Sequence, residues 1–241
     1  MSQPDSNTHT KLTSFNRKLG RKIIEFRVGP QKEPFQVHKK LLQDNVQALF
    51  TNKPDIANTI SFEFPDDDPE AFELLIEYCY KEELAVANKT TSTDDCYRRL
   101  KLYCLAEKYE QNGLMNNCMD FLMAYLRSKR PSWPVSWCSY AYQHTSSGSP
   151  LRSLMSRWFA FKFLQRKDKG KWSTREFSTV GLEHPDLVHD AFRHIRPSPE
   201  KRMSDPQLEP VSLYYVGSEE TSDSRDNSET AAAESEDLYS A

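Results

Sequence analysis

The sequence predicts an α+β fold: a small sheet covered by helices, followed by an α-helical C-terminal region, with disordered ends. Three observations carry that expectation. Apolar and polar residues alternate in short segments confined to residues 23–64, the pattern of half-buried strands. From Phe72 onward apolar residues recur at helical spacing, as on helices buried along one side. The two ends are polar: residues 1–18 are rich in Ser, Thr, Asn and Gln, and beyond Gly217 eight acids stand against a single base, Arg225. Strands gathered first and helices after them argue against alternating βαβ units.

Taken in order, Ile24, Phe26 and Val28 share one face of a first strand. Gly29-Pro30 supplies a turn, and Phe35-Gln36-Val37 alternates again, which makes a hairpin. Leu41-Leu42 marks a short helix, and Val46, Leu49 and Phe50 mark another. Ile60, Phe62 and Phe64 fall on one face of a third strand. Asp68 is then suited to a helix N-cap and Pro69 to the first helical position. Phe72, Leu75, Ile76, Cys79 and Tyr80 form the buried stripe of that helix. After a polar connection over 86–95, one helix carries Leu100, Tyr103, Cys104 and Ala106. A second, beyond Asn112-Gly113, carries Leu114, Cys118, Phe121, Leu122 and Tyr125.

The break at Trp133-Pro134 opens a second block. Helices are expected through Tyr140 to Tyr142, and through Leu151, Leu154, Met155, Trp158, Phe159 and Phe163. The last spans Pro185 to Arg196, with Leu187, Val188, Ala191, Phe192 and Ile195 on its apolar face. The expected organisation is a disordered segment 1–18, a compact domain 19–128, a helical extension 129–200 and a disordered acidic tail 201–241. The net charge beyond Gly217 is −7, with too little apolar surface to offset the entropy of ordering.

The whole chain, at 32 Lys+Arg against 35 Asp+Glu, names no partner by bulk charge. No run approaches the ~20 apolar residues that cross a bilayer, and Met1 to Thr13 lacks a secretory pattern, so a soluble cytoplasmic or nuclear protein is expected. The five cysteines are odd in number and widely spaced, which suits small buried residues better than disulfides or zinc. His184, His189 and His194 recur every five residues. On a helix successive rings would point about 140° apart and could not close on one metal, so they are expected at the surface. His38 is expected as a structural residue bonded at a strand-to-helix junction. Asp66-Asp67-Asp68 reads as a helix start rather than a cation site. None of the nucleophile-elbow, phosphate-loop, dinucleotide or zinc-protease motifs is present, so the expectation is a non-enzyme without cofactor or metal.

One charge feature stands out. Arg152, Arg157, Lys162, Arg166, Lys167, Lys169, Lys171 and Arg175 are opposed only by Asp168, with Trp158, Phe159, Phe161, Phe163 and Trp172 between them. Such a mixture could hold a phosphate backbone and stack bases, with Arg152, Arg157, Lys162, Arg166 and Lys167 as the contacts. The competing reading is an amphipathic helix with aromatics inward and bases solvated, then a basic loop. The helical spacing of the aromatics favours the latter.

A set of short strings recurs at a telling spacing: Phe35-Gln36-Val37-His38-Lys39-Lys40-Leu41-Leu42, Ile60-Ser61-Phe62, Asp68-Pro69-Glu70-Ala71-Phe72, Tyr78-Cys79-Tyr80, Leu102 to Tyr109, and Gly113-Leu114. With these, the segment from Arg21 to Leu126 resembles the BTB/POZ domain, and the whole has the flavour of BTB proteins of filamentous fungi. The signature positions are Phe35, Val37, His38, Lys39, Leu41, Leu42, Phe62, Asp68, Phe72 and Tyr80. The resemblance implies a non-enzymatic protein-interaction module, often a homodimer, sometimes a substrate adaptor on a cullin scaffold of a ubiquitin ligase. In that family the cullin contact lies on the helices around Tyr78 to Tyr80 and the hairpin after them. The chain departs from the family where Leu19-Gly20-Arg21-Lys22 replaces the usual acidic residue before the first strand. No amphipathic segment precedes it to swap between subunits, and no kelch, ankyrin or zinc-finger module follows.

Overall fold

A computed structural model describes residues 17–51, 59–129, 133–165, 172–196 and 203–217. Strand β1 (Ile23–Val28) pairs antiparallel with β2 (Glu33–His38), Phe26 opposite Phe35. On its other side β1 pairs in parallel with β3 (Ser61–Phe64), giving the order β2-β1-β3. Gly29 closes the hairpin at φ +75°, and a Cβ there would lie 2.8 Å from the Pro69 ring, so the turn needs glycine twice over. Period-two alternation sends Ile24, Phe26 and Val28 inward, where Phe26 packs on Phe62 and Phe64 at 5.8 and 5.7 Å between ring centroids.

The helices covering this sheet follow their sequence signals. A short α1 (Lys39–Asn45) and a 3₁₀ turn (Gln47–Phe50) bury Leu41, Leu42, Leu49 and Phe50. In α2 (Pro69–Lys81) Asp68 accepts the Ala71 N–H at 3.0 Å and Pro69 opens the first turn. Ser92 and Asp95 form a capping box at the start of α3 (Thr93–Lys108), which packs between α2 and α4 (Asn112–Lys129).

The second block comprises α5 (Ser136–His144), α6 (Pro150–Leu164), α7 (Thr174–Glu183) and α8 (Pro185–Ile195). It is built onto α3 rather than hung from it. Tyr97 of α3 stacks on Trp137 at 5.4 Å, and Trp133 lies between Trp137 and Trp158. Glu107 of α3 accepts the Ser146 N–H at 2.7 Å and the hydroxyls of Ser146 and Ser149 at 2.6 Å, tying the α5–α6 loop down.

Several expectations are corrected. Ile60 does not share the buried face of Phe62 and Phe64 but is 78% exposed; β3 starts one residue later, and the Ile60 carbonyl accepts the Glu25 N–H at the sheet rim. Phe35 and Ile76 are half-buried rather than enclosed. Helix α7, started by a Ser173–Glu176 capping box, replaces the later part of the expected basic loop. The tail does not begin at 201: two 3₁₀ turns, Pro206–Leu208 and Val211–Tyr214, fold back on α4 and α6. Their order comes from one buried carboxylate. Glu209 receives the hydroxyls of Tyr214 and Ser204 at 2.5 and 2.8 Å and pairs with Arg157, while Arg127 donates to the Gln207 and Glu209 carbonyls. Of the segment 1–18 expected as disordered, Arg17 and Lys18 are helical, while residues 1–16, and residues 218–241 of the expected tail, lie outside the described residues.

Candidate functional site

The signature residues assemble into one junction and one core. Phe72 is fully buried and meets Phe26, Phe35 and Phe64 at 5.5, 5.5 and 5.9 Å. Val37, Leu41, Leu42 and Phe62 are enclosed around it, and Lys39 is buried as well. His38 stands where β2 becomes α1, and its Nδ1 lies 2.7 Å from the Tyr80 hydroxyl at the end of α2. These side chains are engaged in the domain's own packing and hydrogen bonding.

Among the described residues, the surface around them leaves apolar side chains exposed at two places. At one end of the sheet Ile23 (55% exposed), opposite His38 of β2, and Ile60 (78%), which precedes the edge strand β3, project into solvent. Beyond α2, the connection 82–92 is held by a bond of its own and by one from α3: Thr91 accepts the Asn88 N–H at 2.9 Å and Arg99 donates to the Ala85 carbonyl at 2.9 Å. Val86 is presented outward from it, 78% exposed.

The bases proposed for nucleic acid are largely committed elsewhere. Arg152 donates to the Tyr142 carbonyl at 2.7 Å, bonds Thr145 and lies over the Tyr142 ring. Arg157 pairs with Glu209, and Lys162 sits 5.1 Å from the Trp158 ring centroid. Trp158 is fully buried and Phe159 nearly so. Arg166 and Lys167 lie outside the described residues.

The ionisable groups inside the molecule are structural. Burial pushes the thiols of Cys79, Cys118 and Cys138 up to about 12, so they are protonated and unreactive near neutrality. All five cysteines are buried and unpaired. Of the three histidines expected at the surface, only His189 is exposed. His184 Nε2 meets the Ser139 hydroxyl at 2.6 Å, and His194 Nε2 meets that of Ser156 at 3.1 Å. Among the described residues no group of three or more His, Cys, Asp or Glu is placed to hold a metal, and no helix is long and apolar enough to cross a membrane.

Two features escaped the sequence. Asp67, between two other acids, is buried and receives the Tyr109 hydroxyl and the Lys108 ammonium, both at 2.5 Å. An apolar groove of about 630 Å³ lies between α6, α7 and α8. Helical spacing had placed Phe163 and Phe192 inward, but they are 57% and 50% exposed along it. Its signal was an apolar stripe on α6 and α8 wider than their neighbours cover.

The sequence model of the BTB/POZ domain matches residues 24–126, from β1 to the last turns of α4. No curated protein matches the chain.

Proposed function

We propose, from the premise that residues 24–126 are a BTB/POZ domain and so a protein–protein interaction module, that the chain is a non-enzymatic scaffold or adaptor. It works by pairing with a second copy of itself and by holding other proteins on its helical face. The observation that carries the reading is the pair Ile23 and Ile60 at one end of the sheet, two large exposed apolar side chains near β3, an edge strand among the described residues. Edge strands flanked by apolar residues are places where a second chain adds.

The adaptor role would use the other place, the end of α2 and the connection 82–92. Its hydrogen bonds, one internal and one from Arg99 of α3, hold the backbone on either side of Val86, which lowers the ordering entropy that a docking partner would otherwise have to overcome. A cullin of a ubiquitin ligase is the partner proposed for this face. Immunoprecipitation of the chain at endogenous level from its native cell should recover a cullin in the wild type and lose it on Val86→Asp. Repeated absence of a cullin from the wild type would remove the ligase role and leave a scaffold.

A further inference from the structure

The approach to β1 and the start of α1 enclose a recess of about 340 Å³. Among the described residues it is lined by Arg21, Lys22, Lys39, Lys40 and Gln43: four bases and an amide, with no acid and no apolar residue. The backbone brings these side chains together. The Lys39 N–H donates to the Lys22 carbonyl at 2.8 Å, one residue past the Ile23–His38 pair of the hairpin. Gly20, at φ +72°, lets the chain pass so close to α1 that a Cβ there would lie 3.0 Å from the Lys40 Cβ. Lys40 donates to the Arg17 carbonyl at 2.8 Å and so holds that approach in place. Arg21, Lys22 and Lys40 are exposed, whereas Lys39 is only 6% exposed. Of the acids around the recess, Glu82 pairs with Lys18, and Asp44, one turn along α1 from Lys40, does not line it.

We propose that this recess binds a phosphate monoester, carried either on a side chain of a partner protein or on a small molecule. Four cations gathered around one small volume repel one another, and a bound anion relieves that repulsion. The lining selects among anions. With no aromatic or aliphatic residue, it has nothing to stack on a nucleobase or to bury an acyl chain. A carboxylate brings one negative charge, whereas a phosphate monoester brings close to two at neutral pH, with three strong acceptor oxygens. Arg21 supplies the forked donor that suits two of those oxygens, and the ammonium groups act as point charges beside it. Each ammonium has three donors, so a base already bonded once, as Lys40 is to Arg17, still has N–H groups to offer. The Gln43 amide adds a neutral donor. Charge, donor chemistry and size therefore agree on a compact dianion, held where Arg21 and Lys22 enter β1 next to Ile23.

The test is calorimetric titration of the full chain at pH 7.5 and constant ionic strength in chloride. Two probes share the phosphate monoester: a capped pentapeptide with phosphoserine among alanines, and glycerol 2-phosphate. Saturable binding of one equivalent is expected, with a dissociation constant of about 0.1–1 mM from a few charge-assisted bonds. Arg21→Gln and Lys22→Gln, both at exposed sites, should each weaken it about tenfold. Lys32→Gln, at the opposite end of the hairpin, should leave it unchanged. Tighter binding of the peptide supports the site with a phosphorylated protein as its ligand. Binding of the glycerol ester as tight or tighter supports it with a small phosphate ester. No saturable binding of either probe would overturn the assignment, as would equal affinity for the same peptide with glutamate in place of phosphoserine. So would a loss of binding in Lys32→Gln as large as in Arg21→Gln, or retention of a DNA duplex that neither probe displaces.

Discussion

The hydroxyl of Tyr80 accepts the backbone N–H of His38 at 3.2 Å and meets the ring Nδ1 of the same residue at 2.7 Å. The last turn of α2 is thereby fixed to the point where β2 becomes α1, 42 residues earlier in the chain. Removing that hydroxyl strands two half-buried polar groups. Tyr80→Phe should cost about 1–2 kcal/mol in chemical denaturation, with His38→Ala no worse, since it removes the ring contact but keeps the backbone N–H to the Tyr80 hydroxyl.

The sheet and its helices meet at Phe72, which is fully buried against three other Phe rings. Phe72→Ala should lower the unfolding free energy by about 3–5 kcal/mol, transfer and cavity together. A loss under about 1 kcal/mol would mean that α2 does not cover the sheet in this way.

Much of this was legible in the sequence, because strands and helices announce themselves by local period. Ile24, Phe26 and Val28 showed β1, and Asp68-Pro69 with Phe72, Leu75 and Cys79 showed α2 and its first residue. Ile60 misled because period predicts a face only where a strand continues, and β3 starts at Ser61. The segment 203–217 was invisible for a different reason. It has no repeating apolar pattern, and its order rests on Glu209 gathering Arg157, Ser204 and Tyr214, a contact set joined across 52 residues. The groove was missed because a stripe of apolar residues does not say how much of it a neighbour covers.

Glu209 offers a direct check on that ordered return. Glu209→Ala leaves the Arg157 guanidinium and the buried Tyr214 hydroxyl without their shared acceptor. Stability should fall by about 3 kcal/mol, and amide exchange should quicken over residues 203–217. Unchanged exchange in that segment would refute the carboxylate's role.

His194 predicts a pH dependence. Burial, and after it the charge of Arg157, lowers its pKa from the ordinary 6.5 to about 4. The folded chain therefore keeps this ring neutral in a window where the unfolded chain binds a proton, and stability must fall as pH drops from 6.5 toward 4. Because the ring is only partly enclosed, about 1 kcal/mol of loss by pH 5 is expected from this residue. Urea midpoints at pH 7 and pH 5 should differ more for the wild type than for His194→Gln. Equal shifts would contradict the assignment.

The central claim is that the chain acts by binding proteins, beginning with a second copy of itself at the sheet rim beside Ile23 and Ile60. Sedimentation equilibrium of the full chain over a wide concentration range tests it most directly. The account predicts a reversible rise to twice the chain mass, and a monomer at all concentrations for Ile60→Asp, whose site is 78% exposed and outside the core. A wild type that stays monomeric throughout, or a dimer that Ile60→Asp leaves intact, would contradict it.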